Sequence, residues 1–210
     1  MKAGRIGVMG GGFDPPHKFH VAMAERALAF LGIDFFVFLP ADSSPPKFGL
    51  HFAPFADRAQ MLKIALRKFP GPFEISGLEA RAGGTFYAAD AAGALSARFQ
   101  GARLFWIMGS DRASGLHRWK DIEKLSLLAS FALFKREGED ISGLEKLPKG
   151  AEALEIPFVS SSASSAYARE ALAAGKIPDC LDPEVAAYIL KRELYPRKIT
   201  DSAPETGKIP

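Results

Sequence analysis

The 210-residue sequence predicts an α/β fold, a doubly wound parallel sheet in a single domain. Three observations predict it. Short apolar runs alternate with helical patterns, which is the signature of βαβ units. The runs lack the in–out alternation of a half-solvated strand, so both of their faces are expected to be covered, as in parallel sheets. The first run ends at Gly10, Gly11 and Gly12, a bend at a strand's carboxyl end, where open sheets hold ligands.

Taken in order, Ile6 to Met9 is the first strand. Beyond Pro15 and Pro16, the apolar positions Val21, Ala24, Leu28 and Leu31 mark one face of a helix, which Gly32 ends. Phe35 to Leu39 is a continuously apolar strand stopped by Pro40, and residues 41–56, rich in Pro, Ser and Phe, read as a long loop. A helix from Asp57 to Phe69 places Leu62, Ala65, Leu66 and Phe69 together. A short strand, Phe73 to Ile75, precedes an Ala-rich helix over 87–99. Leu104 to Met108 is a strong strand ending at Gly109, followed by a helix over 119–128, a strand at Phe131 to Phe134 and a last strand at Ile156 to Val159. Helices over 164–174 and 183–193 close the fold; Asp182, Pro183 and Glu184 supply an N-cap, a first-turn proline and a first-turn acid. With right-handed crossovers such units build a Rossmann-like sheet. The domain is expected to span residues 1–195. Residues 196–210 have no apolar period and are expected to form a flexible tail.

Composition narrows the function classes. A hydrophobic share of 48% with 24% charged residues excludes wholesale disorder. The 27 basic and 24 acidic residues are scattered, and a net charge of +3 argues against a nucleic-acid surface while suiting a phosphorylated small substrate. No apolar run approaches the ~18 residues of a membrane span, and the residues before Gly10 make no signal peptide. A soluble cytoplasmic protein with no membrane partner is the expectation. Cys180 is the one cysteine, which excludes an internal disulfide and a Cys-based zinc site. It has no partnered histidine in the sequence and reads as inert.

The loops after Met9, Leu39 and Met108 are the places to look for chemistry. After Met9 the chain reads Gly10-Gly11-Gly12-Phe13-Asp14-Pro15-Pro16-His17-Lys18-Phe19-His20. This is not the GxGxxG fingerprint, because Pro15 stands at the third glycine, and it is not a Walker A loop, which needs GK[ST]. His17 and His20 stand at i and i+3 in the first helical turn. The spacing alone also suits a surface pair or an incomplete metal pair. The glycine-rich strand-to-helix turn moves the balance to phosphate binding, since backbone N–H groups and the helix dipole favour an anion there.

The segment from Gly11 to His20 resembles the GGxFDPxHxGH signature of HxGH nucleotidyltransferases. Further segments are similar to one branch of them. Glu79-Ala80-Arg81 followed by Thr85-Phe86-Tyr87-Ala88-Ala89-Asp90 resembles ExxR…TxYTxD/E, and Gly109 to Arg112 with Leu116 to Trp119 resembles GADN…FHRW. Pro45-Pro46-Lys47 resembles PPHK, Ser164 to Arg169 resembles SSTxIR, and the stretch from Leu181 to Tyr195 resembles the family's closing segment. Over residues 5–195 the chain therefore resembles the nicotinate mononucleotide adenylyltransferases.

The resemblance implies adenylyl transfer from ATP to nicotinate mononucleotide, giving nicotinate adenine dinucleotide and pyrophosphate in NAD biosynthesis. The attacking phosphate is already an anion, so the chemistry needs alignment and charge stabilisation rather than a base. At the matching positions it implies that His17, His20 and Arg169 are catalytic, donating to the triphosphate. It implies ATP contacts at Gly11, Gly12, Phe13, Gly109, Asp111, Ser164 and Ser165. It implies pyridine-nucleotide contacts at Asp14, Lys47, Thr85, Tyr87 and Trp119, with Trp119 stacked on the ring. Mg2+ would accompany ATP, held by phosphate oxygens and water with no protein metal ligands. A homo-oligomer stays open. Read as residues alone, Asp111 also suits a helix cap, Trp119 a core position, Arg169 a solvated helix residue, and Ser160 to Ser165 an N-cap loop. The chain departs from the family at Phe19, where HxGH has glycine, at Ala88 and Ala166, where threonines are expected, at Arg112, where GADN has Asn, and in the lost His before Lys47. These departures leave open a slower enzyme, another acceptor such as nicotinamide mononucleotide or phosphopantetheine, or a nucleotide-binding relative without catalysis.

Overall fold

Six strands form one parallel sheet: β1 (Arg5–Gly11), β2 (Phe35–Pro40), β3 (Phe73–Ile75), β4 (Arg103–Gly109), β5 (Ala129–Phe134) and β6 (Ala153–Ile156). The spatial order is β3-β2-β1-β4-β5-β6 in this computed structural model, which describes residues 4–41, 53–83, 85–135, 141, 144–157 and 164–196. Eight helices are described: α1 (Lys18–Leu31), α2 (Phe55–Ala65), α3 (Leu78–Ala82), α4 (Ala88–Arg98), α5 (Ser110–Ala113), α6 (Ile122–Leu128), α7 (Ser165–Ala173) and α8 (Pro183–Lys191). The order reverses between β1 and β4, where Val8 pairs with Val37 on one side and Trp106 on the other. Connections leaving these two strands diverge, and the crevice between them is the ligand site of such sheets.

The unalternating apolar runs are explained by two cores. Met9, Phe36, Phe38, Phe105 and Ile107 enter the core beneath α1 and α2, while Val8, Val37, Leu104, Trp106 and Met108 enter the one beneath α4 and α6. Each side chain so buried contributes on the order of 1.5–3 kcal/mol. A smaller cluster joins Met61 of α2 to Ala168 and Leu172 of α7 and to Val185 and Ile189 of α8. Gly7 is a packing requirement: a Cβ there would lie 2.8 Å from the Ile33 and Phe36 side chains. The expected helix ends are present, with Gly32 left-handed (φ 60°) and Asp182 capping the Glu184 N–H at 2.9 Å.

Three elements depart most from expectation. The last strand is Ala153–Ile156, so it ends at the residue where it was expected to begin. The charged Glu155 on an edge strand interrupts the apolar run that would have announced it, and Ile156 is the one fully buried position. The helix expected from 119 starts at Ile122, because Leu116–Arg118 form a 3-10 turn and Asp121 is left-handed (φ 54°). Helix α2 begins at Phe55 and ends at Ala65; Leu66 and Phe69 still reach the core, from the turn that follows. Helices α3 and α5, of 5 and 4 residues, are too short to show a period. Residues 42–52 of the predicted loop and 197–210 of the predicted tail lie outside the described residues.

Helix α8 is fastened to α2 by a buried carboxylate. Asp57 accepts from the Tyr188 hydroxyl at 2.8 Å and from Arg192 Nε at 3.1 Å. The Tyr188 hydrogen bond, with help from Arg192, holds the Asp57 carboxyl below its ordinary value against the opposing effect of burial. A carboxyl depressed in the folded state contributes stability above its unfolded value, and that contribution disappears as pH falls through the folded value. Tyr188→Phe should therefore lower stability by about 1–2 kcal/mol near neutrality, with the deficit shrinking below about pH 3.9. Urea midpoints of both proteins across that range test it; a pH-independent difference would contradict it.

Candidate active site

The crevice holds two adjoining compartments of about 280 and 320 Å3 over the carboxyl ends of β1 and β4. They share Gly10, Gly11, Gly12 and Arg112. A Cβ on Gly10 or Gly11 would meet Trp106 or Phe13 only at 3.6–3.7 Å, ordinary contact distances. Packing therefore does not demand glycine at these two positions. What the missing side chains leave is open space on the cleft side, where a ligand can approach the backbone.

The larger compartment is polar. His17 is the N-cap of α1 and only 3% exposed, and its backbone N–H donates to His20 Nδ1 at 3.2 Å. The two rings lie 3.8 Å apart, tilted by 30°. With Nδ1 accepting, the neutral His20 ring carries its proton on Nε2, which is then a donor. Phe13, 5.0 Å from the His20 ring, has φ 47°, a conformation that costs a non-glycine residue about 1–2 kcal/mol. Its ring is 1% exposed and packs on Phe38, which holds it there. Phe19, the departure from HxGH, is 4% exposed and belongs to the core beneath α1. Its ring forms part of the compartment wall instead of filling the mouth.

The turn from Gly12 to Pro15, with a cis Asp14–Pro15 peptide, is braced from α2, from α7 and from the segment after α8. The fully buried Arg58 of α2 donates from Nη1 to the Gly12 carbonyl and from Nε to the Ala53 carbonyl, each at 2.8 Å. From α7, Arg169 Nη1 donates to the Asp14 carbonyl at 2.5 Å and stands 3.6 Å from Asp14 Oδ2, and Ser165 Oγ donates to the Pro15 carbonyl at 3.0 Å. Asp14 Oδ1 accepts from the Ala53 N–H at 3.0 Å and from the Tyr195 hydroxyl, beyond α8, at 2.6 Å. Burial, reinforced by the Asp14 charge, pushes the Tyr195 phenol far above its ordinary range.

Of the residues singled out in the sequence, His17, His20, Arg169, Gly11, Gly12, Phe13, Gly109, Asp111, Ser164 and Ser165 all line the polar compartment. Ser164 is also the N-cap of α7, accepting from the Tyr167 N–H at 3.1 Å. Tyr87 and Trp119 line the other compartment, with Trp119 half-buried and packed partly on the core. Asp14, expected beside the pyridine nucleotide, lies with the polar group and is 1% exposed. Thr85 is exposed and outside both linings, and Lys47 lies outside the described residues. Sequence reasoning missed Glu79, Phe86, Trp106 and Arg112 as wall residues. Trp106 reads as core from its strand, and Glu79 and Phe86 stand inside the quoted motif segments without having been given a contact. Arg112 is the one cationic side chain among the described residues of the aromatic compartment, and no described residue pairs with its guanidinium. Among the described residues no group of three metal-ligating side chains converges.

Comparisons with known proteins identify the family and the fold. The cytidylyltransferase-like family profile matches residues 8–168. A relative from Bordetella pertussis, named probable nicotinate-nucleotide adenylyltransferase, is 34% identical over 91% of this chain and 98% of its own. Another of that name, from Saccharopolyspora erythraea, is 34% identical over 98% of this chain and 96% of its own. In fold, the chain is similar to Plasmodium falciparum nicotinic acid mononucleotide adenylyltransferase complexed with NaAD, with a TM-score of 0.77, 23% identity, and coverage of 91% of this chain and 97% of that one. With the family profile matched over most of its length and full-length relatives sharing a third of its residues, the chain belongs to the nicotinate-nucleotide adenylyltransferases of the cytidylyltransferase-like family.

Proposed function

We propose that this protein transfers the adenylyl group of ATP to nicotinate mononucleotide, forming nicotinate adenine dinucleotide and pyrophosphate as a step of NAD biosynthesis. The observation that carries the reading is the pair of compartments meeting at bare glycine backbone: one offers phosphate donors, the other aromatic faces. A reaction joining two nucleotides through their phosphates needs those phosphates to meet at one seam.

The acceptor phosphate oxygen attacks the α-phosphorus, the bond from that phosphorus to the bridging oxygen breaks, and pyrophosphate leaves with the electron pair. No proton has to be removed. His17, His20 and Arg169 donate to the phosphoryl oxygens on which charge grows, and the buried surroundings strengthen those bonds. Asp111, at the start of α5, suits a ribose or adenine donor. Tyr87 and Trp119 offer faces for the pyridine ring. Arg112, common to both compartments, relieves the repulsion between the two anions and favours the acceptor of greater negative charge. ATP enters as its Mg2+ complex, the ion held by phosphate oxygens and water. No described helix is long and apolar enough to cross a membrane.

The test is pyrophosphate release from ATP and Mg2+ with nicotinate and nicotinamide mononucleotides side by side. Faster turnover of the acid is expected, and release with neither would overturn the reading. His20→Ala should lower kcat by about 10²–10³, the usual loss for one preorganised donor. Trp119→Ala should raise KM for the mononucleotide about tenfold and leave KM for ATP unchanged. Arg112→Ala should cut kcat/KM for the mononucleotide by about tenfold, and the remaining rate should respond less to added salt.

A further inference from the structure

We propose that Tyr195 is a positioning residue for the phosphate clamp, acting on Arg169 through the buried carboxylate of Asp14. The identity of the phosphate rests on the adenylyl-transfer reading; the mechanical link rests on geometry. Tyr195 lines neither compartment, so it has no contact to make with a nucleotide in either. Its hydroxyl nonetheless reaches Asp14, 181 positions back in the chain, at 2.6 Å. It does so from a left-handed backbone (φ 57°), a conformation a bulky residue keeps only where its surroundings enforce it.

The link has three parts. The Tyr195 O–H and the Ala53 N–H both donate to Asp14 Oδ1 and so set the plane of the carboxylate. That leaves Oδ2 turned to Arg169 Nη1 at 3.6 Å, while the same Nη1 holds the Asp14 carbonyl at 2.5 Å. Arg169 is a long side chain on α7, and two oxygens of one residue restrict it, so that its remaining N–H groups are presented to the compartment it lines. Because Asp14 is 1% exposed, water does not compete for its oxygens. The Tyr195 phenol, held protonated by burial and by the Asp14 charge, is a donor throughout the working pH range. Without the hydroxyl, the carboxylate keeps one donor on Oδ1 and is free to rotate, and Arg169 loses its alignment.

The experiment is a double-mutant cycle read by calorimetry with Mg2+ and inorganic pyrophosphate, titrated into the millimolar range. Tyr195→Phe keeps the ring and removes the donor; it should weaken pyrophosphate binding about tenfold in the wild-type background and not at all in Arg169→Ala. In turnover, KM for ATP should rise in Tyr195→Phe while KM for the mononucleotide holds. Asp14→Asn should weaken pyrophosphate similarly and abolish any further effect of Tyr195→Phe. Wild-type binding in Tyr195→Phe, or the same loss in the Arg169→Ala background, would overturn the proposal and leave Tyr195 a structural strut. If the wild-type protein binds pyrophosphate but releases none from ATP with either mononucleotide, adenylyl transfer falls and the binding cycle still judges Tyr195.

Discussion

Three backbone carbonyls of one four-residue turn at the mouth of the cleft have side chains, not strands or helices, as their partners. The Gly12, Asp14 and Pro15 carbonyls accept from Arg58, Arg169 and Ser165. Backbone acceptors left bare in a buried turn cost about as much as lost hydrogen bonds, so this turn keeps its shape only while those side chains are in place. Everything at the site hangs from it. The turn sets the left-handed Phe13, the N-cap at His17 and the bare glycine edge shared by both compartments. A fully buried guanidinium such as Arg58 is tolerable because it donates to the Gly12 and Ala53 carbonyls.

This bracing explains how a site that needs no base can still be demanding. Charge stabilisation works when donors are already aimed before the charge appears, which spares the reorganisation that water would require. In the proposed reaction the donors come from separate elements, His17 and His20 from the start of α1 and Arg169 from α7, where Ser165 also braces the turn. The close approach of the two imidazoles and the His17 N–H to His20 Nδ1 bond lock the first pair, and Asp14 holds Arg169. Phe19 fits this scheme because its ring belongs to the core under α1, so the departure from glycine changes the wall and leaves the mouth open.

Much of the fold was legible because burial on two faces leaves continuous apolar runs. β1, β2, β4 and β5 read directly, as did the ends of α1 at Gly32 and α8 at Asp182, where local backbone chemistry decides. The edge strand β6 was misplaced because its Glu155 faces solvent, and α3 and α5 were invisible because one helical turn carries no period. Site residues adjacent in the chain, from Gly11 to His20, could be read as a unit. Trp106 could not, since nothing local distinguishes a core residue from one facing a cleft, and Glu79 and Arg112 stood in motif segments with no contact assigned.

The sequence by itself determined the sheet, its parallel character and the glycine–histidine bend, because periodicity, capping and φ preference act over a few residues. Only the tertiary structure decided which groups share a compartment, that Asp14 lies with the polar compartment and not the aromatic one, and that Phe19 turns into the core. Those outcomes join Asp14 to Ala53, Arg169 and Tyr195, up to 181 residues away. The reason is physical: a buried carboxylate takes whatever donors the packed fold brings to it, and that choice is made by the meeting of α7 and the end of α8 with the turn after β1.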